Sequence, residues 1–199
     1  MAGWTTSEVV LTQSLNERVM VLSKFIHLAA ACQQLNNFAT VTQIVVGLQS
    51  QHISSLYKTW EGLKPEDKKA WHDLLELVDT RKNWLNMRRA MEKSVVGPRN
   101  RGVGCIPFIG TGYNKLLFLI LGIFMSDLVH IVSRSLDAGK IDFESLRNRA
   151  SIIKKTLRMI ELAEEYDFHP EPGLGERCLW ITALNENMLH RIAGNLEST

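Results

Sequence analysis

The sequence predicts an all-α fold, and three observations carry that expectation. Apolar residues recur at helical spacing through most of the chain. No stretch of any length shows the apolar–polar alternation of a half-buried strand. Helix-start and helix-stop residues punctuate the apolar stripes, giving about ten helices of ordinary length. At 199 residues the chain fits one ordinary domain and can bury a sizeable core.

In chain order, Val19, Leu22, Phe25, Ile26, Ala29, Ala30 and Leu35 predict a helix over 16–35. Asn16 supplies an N-cap and Asn36-Asn37 a stop. Val41, Ile44, Val45 and Leu48 predict a second helix over 39–48, in which Gly47 permits close packing. Ile53, Leu56 and Trp60 carry the pattern through a third. Pro65-Glu66-Asp67 opens a fourth, with proline in the first turn and acids beside the positive end of the helix dipole. Trp71, Leu74, Leu75 and Val78 form its inner side. Residues 83–91 predict a short helix with Arg88 and Arg89 outward, and 97–104 (GPRNRGVG) a loop. The stretch from Gly104 to Arg134 opens with Cys-Ile-Pro-Phe and runs through an apolar block, Leu116 to Met125. It closes on a helix punctuated by Ser126, Asp127 and His130. A turn at 137–140 leads to a long helix over 142–166. His169-Pro170-Glu171-Pro172-Gly173 breaks it, and short helices near 177–182 and 186–193 finish the chain.

Composition excludes more than it identifies. Hydrophobic content of 45% and charged content of 22% are those of a globular domain. A formal charge of +2 gives no argument for nucleic acid. Cys32, Cys105 and Cys178 are an odd count without CxxC spacing, which favours reduced packing thiols over disulfides or zinc. The first residues lack the basic start and apolar core of a signal peptide, and no Asn-x-Ser/Thr acceptor occurs, so a cytoplasmic setting is expected. The apolar block at 116–125 is shorter than the roughly 20 residues of a span and is flanked by Lys115, Asp127 and His130, so membrane contact is at most peripheral. The histidines form no HExxH pair, and the sequence contains no phosphate-binding GxxxxGK[ST] loop and no GxSxG elbow. We therefore expect no catalytic residues, metal or cofactor. His27, His72 and His130 are read as structural or surface residues. The basic cluster Arg81, Lys82, Arg88, Arg89, Lys93, Arg99 and Arg101 is either a solvated face or a surface for an acidic partner or anionic lipid. Partner binding is the default function.

Three ordered blocks sharpen that default. They are RVMVLSKFIHLAAACQQLNNF (18–38), IVVGLQSQHISSLYKTW (44–60) and CIPFIG (105–110), supported by NWLNMRRAM (83–91) and by Glu186-Asn187. Together they resemble the catalytic domain of Ras-family guanine-nucleotide exchange factors, the RasGEF domain, over nearly the whole chain. The resemblance implies an all-helical orthogonal bundle with a protruding helical hairpin, here 123–135 followed by 142–166. It implies an exchange factor for a small GTPase of Ras, Rap or Ral type, recruited from the cytoplasm to the inner face of a membrane. Such a domain holds the GTPase switch II segment in an apolar pocket and wedges open the nucleotide site. No covalent bond changes, so the missing catalytic groups follow. The wording Leu48-Gln49-Ser50 leans toward Ral-type exchangers.

By position, the resemblance makes Phe108 a pocket wall and places Thr42 and Gln49 against switch II. It puts Arg81 and Lys82 at further GTPase contacts and makes Val129 an apolar wedge. Apolar spacing alone is equally compatible with a packing role for Val129, and a core-only role is the lesser alternative for Phe108. Four departures stand out. Trp4 aligns well inside the family domain, so residues 1–199 are expected to be a partial domain lacking its first helices. Ser133 stands where an acidic residue is expected one turn after Val129. Ser55 replaces an arginine. Residues 111–122 (TGYNKLLFLILG) look inserted, and a twelve-residue helical insert would lengthen the element by about 18 Å and displace Val129 from its family position. An exchange-inactive module that keeps the fold as an interaction scaffold is the alternative function.

Overall fold

The computed structural model describes residues 1–96, 117–134, 142–164 and 171–196. Among these residues the chain forms eleven helices and no strand. They are α1 (Ala2–Leu11), α2 (Leu15–Gln34), α3 (Phe38–Leu48), α4 (Gln51–Ser54), α5 (Tyr57–Glu61), α6 (Pro65–Leu77), α7 (Arg81–Val96), α8 (Leu117–Arg134), α9 (Phe143–Glu164), α10 (Leu174–Leu179) and α11 (Glu186–Leu196). The chain divides into two compact units. The first comprises Met1–Gln34, Thr40–Val78 and Asp167–Thr199, and the second Leu35–Ala39 and Asp79–Tyr166.

In the first unit α2 packs on α1, α5 and α6, and α1 also packs on α4 and α11. The α2 stripe is covered as its spacing demands, with Leu22, Phe25, Ile26 and Ala29 buried. Asn16 lies inside α2, and Asn36 ends the segment after it with a left-handed φ of 57°. Gly47 meets its expected purpose: a Cβ there would stand 2.7 Å from the Ala2 carbonyl oxygen, and the Thr6 hydroxyl donates to the Gly47 carbonyl at 3.0 Å.

The interior carries polar groups, each anchored. Arg18 is 1% exposed, and its guanidinium donates to Thr59 Oγ1 at 2.9 Å and to the Thr12 and Gln13 carbonyls at 2.9 and 3.0 Å. It thereby satisfies two carbonyls of the turn between α1 and α2. Asp67, in the first turn of α6, is buried; it accepts from Ser23 Oγ at 2.8 Å and pairs with His27 Nε2 at 2.7 Å. His27 thus has the structural role expected of it. Burial pushes the Asp67 carboxyl up, but the Ser23 and His27 hydrogen bonds and the charges of His27 and Lys64 outweigh it. The carboxyl titrates below its ordinary value.

Two expectations are corrected, and one helix is added to those expected. The added helix is α1, whose Thr5, Thr6 and Ser7 are poor helix formers. In place they are buried, and their hydroxyls donate back to the carbonyls of Met1, Ala2 and Gly3. The expected third helix is two helices, α4 and α5, separated at Leu56. That residue has φ −82° and ψ 72°, and Tyr57 N–H donates to the Ser55 carbonyl at 3.0 Å, an inverse γ-turn that directs Leu56 into the core. The penultimate helix lies at Leu174–Leu179 rather than 177–182.

The second unit contains α7, α8 and α9, with both α7 and α8 packed on α9. Asp142 caps α9: its Oδ1 accepts from the Glu144 and Ser145 amides at 3.0 and 3.2 Å. Those hydrogen bonds, with one from the Ser145 hydroxyl first among them, hold its carboxyl below the usual range. Residues 117–122, half of the expected insert, are helical and continuous with 123–134 in α8. No helix among the described residues is long and apolar enough to cross a membrane.

Candidate interaction site

The hairpin partners form as expected, and α8 divides its apolar residues between two sides. Ile123 and Phe124 are buried, whereas Met125 and Val129 are 54% and 62% exposed. Those two residues are one turn apart, so they form an apolar row on the free side of the helix. Ser133 lies in the last turn of α8.

Beside this helix stands the start of α7, where the backbone is strained. Lys82, Asn83 and Trp84 have φ of 54°, 56° and 59°. A left-handed turn costs about 1–2 kcal/mol for each non-glycine residue, so something must hold it. Arg88 is the holder. Its Nε donates to the Asn83 carbonyl at 2.7 Å and its Nη2 to Asn83 Oδ1 at 3.2 Å. The same guanidinium reaches α8 through Asp127 Oδ2 at 2.6 Å, Asp127 Oδ1 at 3.1 Å and the Ile123 carbonyl at 3.2 Å. It also lies 6.0 Å from the Phe124 ring centroid. This corrects the expected outward orientation of Arg88: its side chain is 20% exposed and forked onto a carboxylate. Arg89 remains exposed.

The left-handed turn leaves Arg81 and Lys82 in solvent. Arg81 folds back on Asp79, with Nε 2.7 Å from Oδ2. The Arg81 side-chain hydrogen bond, then its backbone amide, hold the Asp79 carboxyl below the usual range. A partner that recruits Arg81 must displace an exposed intramolecular pair, which is a weak competitor.

Of the sequence-derived residues, the second unit contains Arg81 and Lys82 at the start of α7 and Val129 and Ser133 on α8. Thr42 and Gln49 belong to the first unit. Thr42 is buried in α3, and Gln49 is exposed just beyond the end of that helix. Phe108, the CIPFIG block, the 97–104 loop, the 137–140 turn and residues 111–116 lie outside the described residues. Arg88 and Asp127 are the pair that sequence reasoning missed. Their separation of 39 positions leaves no local signal, although Asp127 inside an apolar helix was itself a cue. Among the described residues no cluster of three histidine, cysteine or carboxylate side chains is placed to hold a metal ion.

Comparison with known proteins points one way. The RasGEF domain profile matches residues 1–147. Guanine nucleotide exchange factor LTE1 of Kluyveromyces lactis is 26% identical over 193 residues, covering 96% of this chain and 13% of that protein. Ras guanine nucleotide exchange factor Y of Dictyostelium discoideum is 28% identical over 191 residues, covering 94% and 11%. Ral guanine nucleotide dissociation stimulator-like 2 of Canis lupus familiaris is 24% identical over 199 residues, covering 91% and 24%. The chain thus spans less than a quarter of the length of each of these relatives.

Proposed function

The chain belongs to the RasGEF domain family, and from that premise we propose that it is a guanine-nucleotide exchange factor for a Ras-family small GTPase of Ras, Rap or Ral type. The observation that carries the reading is the exposed Met125–Val129 row on α8. Two apolar side chains on the free side of a helix, steadied at Asp127 by Arg88, suit insertion beside a nucleotide site.

The mechanism is linkage. A domain that prefers the nucleotide-free GTPase weakens nucleotide affinity by the same factor, and each tenfold requires about 1.4 kcal/mol of preference. Thr42 and Gln49 contact switch II, with Thr42 acting from within α3 by shaping the surface, and Phe108 is assigned a switch II contact by the family resemblance alone. Arg81 and Lys82 meet acidic groups of the GTPase. Val129 enters between switch I and the phosphate and magnesium sites. Ser133 brings no negative charge, so the wedge works by exclusion rather than by competing with phosphate for a lysine. The work is done in small-GTPase signalling, from the cytoplasm or a membrane's inner face, and no covalent bond changes. Residues 111–122 are an insertion, and 117–122 lengthen α8 toward its N-terminus.

Release of a fluorescent GDP analogue from purified Ras, Rap and Ral proteins tests the proposal. At least one GTPase should release at least about tenfold faster with the chain present, and Ser133→Glu should raise that rate further. A folded chain that binds a GTPase yet accelerates none supports the second reading, an exchange-inactive interaction module. Ser133 is the observation that favours it.

A further inference from the structure

Helix α9 wears its apolar stripe on the wrong side for a packed helix. Phe143, Leu146, Ile153 and Leu157 are 73%, 47%, 48% and 53% exposed, and Ala150 between them is exposed as well. The half-buried positions are Ser145, Arg149, Ile152 and Thr156, about a third of a turn round the helix from the stripe. Amphipathic helices normally bury the apolar stripe and expose the polar one.

We propose that this outer face is a docking surface for an amphipathic helix of a partner protein, one with acidic margins. The spacing names the shape of the occupant. Residues 143, 146, 150, 153 and 157 follow the three–four alternation of the a and d positions of a coiled coil, over about 21 Å of helix. Such a seam accepts the knobs of a second helix.

The margin names the charge. Arg147 and Lys154 fall at successive e positions, both exposed. Neither makes a hydrogen bond or ion pair among the described residues. The next e position, Glu161, is occupied by Arg158 at 3.2 Å. The free part of the margin is therefore positive and calls for carboxylates opposite.

The same margin argues against a second copy of this chain. In an antiparallel pair that sets Leu146 against Leu157 and Ala150 against Ile153, Arg147 of one copy lies beside Lys154 of the other. In a parallel pair Arg149 lies beside Lys154. Both arrangements set like charges at the positions that choose partners.

The test uses two synthetic helical peptides with Leu and Ile at a and d, one carrying Glu and the other Lys at e and g. Binding to the whole chain is followed by fluorescence anisotropy. The Glu peptide should bind at least about tenfold more tightly than the Lys peptide, and Ile153→Asp should abolish binding. The double variant Arg147→Glu/Lys154→Glu should reverse the preference, a result that misfolding cannot imitate. Equal binding of the two peptides, or binding of neither, overturns the proposal. So does self-association of the chain that Ile153→Asp abolishes, since a second copy would then be the occupant. Attachment to anionic vesicles through Ile153, with no peptide bound, also overturns it in favour of a membrane.

Discussion

Helices α2 and α9 are close in length, at 20 and 22 residues, and each carries an apolar stripe at helical spacing. In α2 the stripe is covered: Leu22, Ile26 and Ala29 have no exposure, and α1, α5 and α6 pack on the helix. In α9 the stripe is bare, while the helix is packed by α7 and α8. Periodicity therefore reports that a helix has an apolar face, not what covers it. A face covered by the chain's own helices stabilises the fold, and a bare one is available for recognition.

The sharpest way to break this contrast is to truncate one leucine in each helix. Leu22→Ala should cost about 3 kcal/mol, because burial is lost and a cavity remains. Leu157→Ala should change stability by no more than about 0.5 kcal/mol. Urea denaturation of both variants reads the difference, and equal losses would erase the distinction between the two faces.

A smaller effect is expected where the two roles meet. Arg88→Lys keeps a charge but loses the fork that joins the left-handed turn to Asp127 and Ile123. A loss of about 1.5 kcal/mol should follow, together with slower nucleotide release. Unchanged release at full folding would show that the position of α8 does not depend on this side chain.

The smallest effect concerns the α2–α6 link. Because the folded Asp67 carboxyl titrates below its ordinary 3.8, the unfolded chain binds the proton more readily. Its contribution is complete above that value and fades as pH falls through the lowered one. Asp67→Asn should therefore cost about 1 kcal/mol at pH 7 and progressively less in acid. Thermal melts across pH 2–7 should show the two proteins converging at the acid end.

Much of this architecture was legible from the residues. The boundaries of α2, α3, α6 and α9 follow from apolar spacing and from Asn36, Pro65 and Asp142, all local signals. The close approach at Gly47 could also be anticipated. What escaped was non-local. Helix α1 depends on burying Thr5, Thr6 and Ser7 against neighbours that its own sequence does not name. The break at Leu56 depends on a core that draws that residue inward. Arg88 sat in a run of basic residues and looked solvated, and only the fold brings Asp127 to it. For the candidate site, Arg81, Lys82, Val129 and Ser133, named from the sequence, belong to the second unit. The sequence did not foresee that Lys82 would sit in a left-handed turn or that Thr42 would be buried. Both depend on packing rather than periodicity.

The central claim is that the bare row on α8 acts on a partner while contributing little to the fold. The rate of GDP release catalysed by Val129→Asp, relative to the unaltered chain at equal folded concentration, tests it most directly. We predict a rate at least about tenfold lower, with an unshifted melting temperature. An undiminished rate would contradict the account, as would a loss that simply follows unfolding.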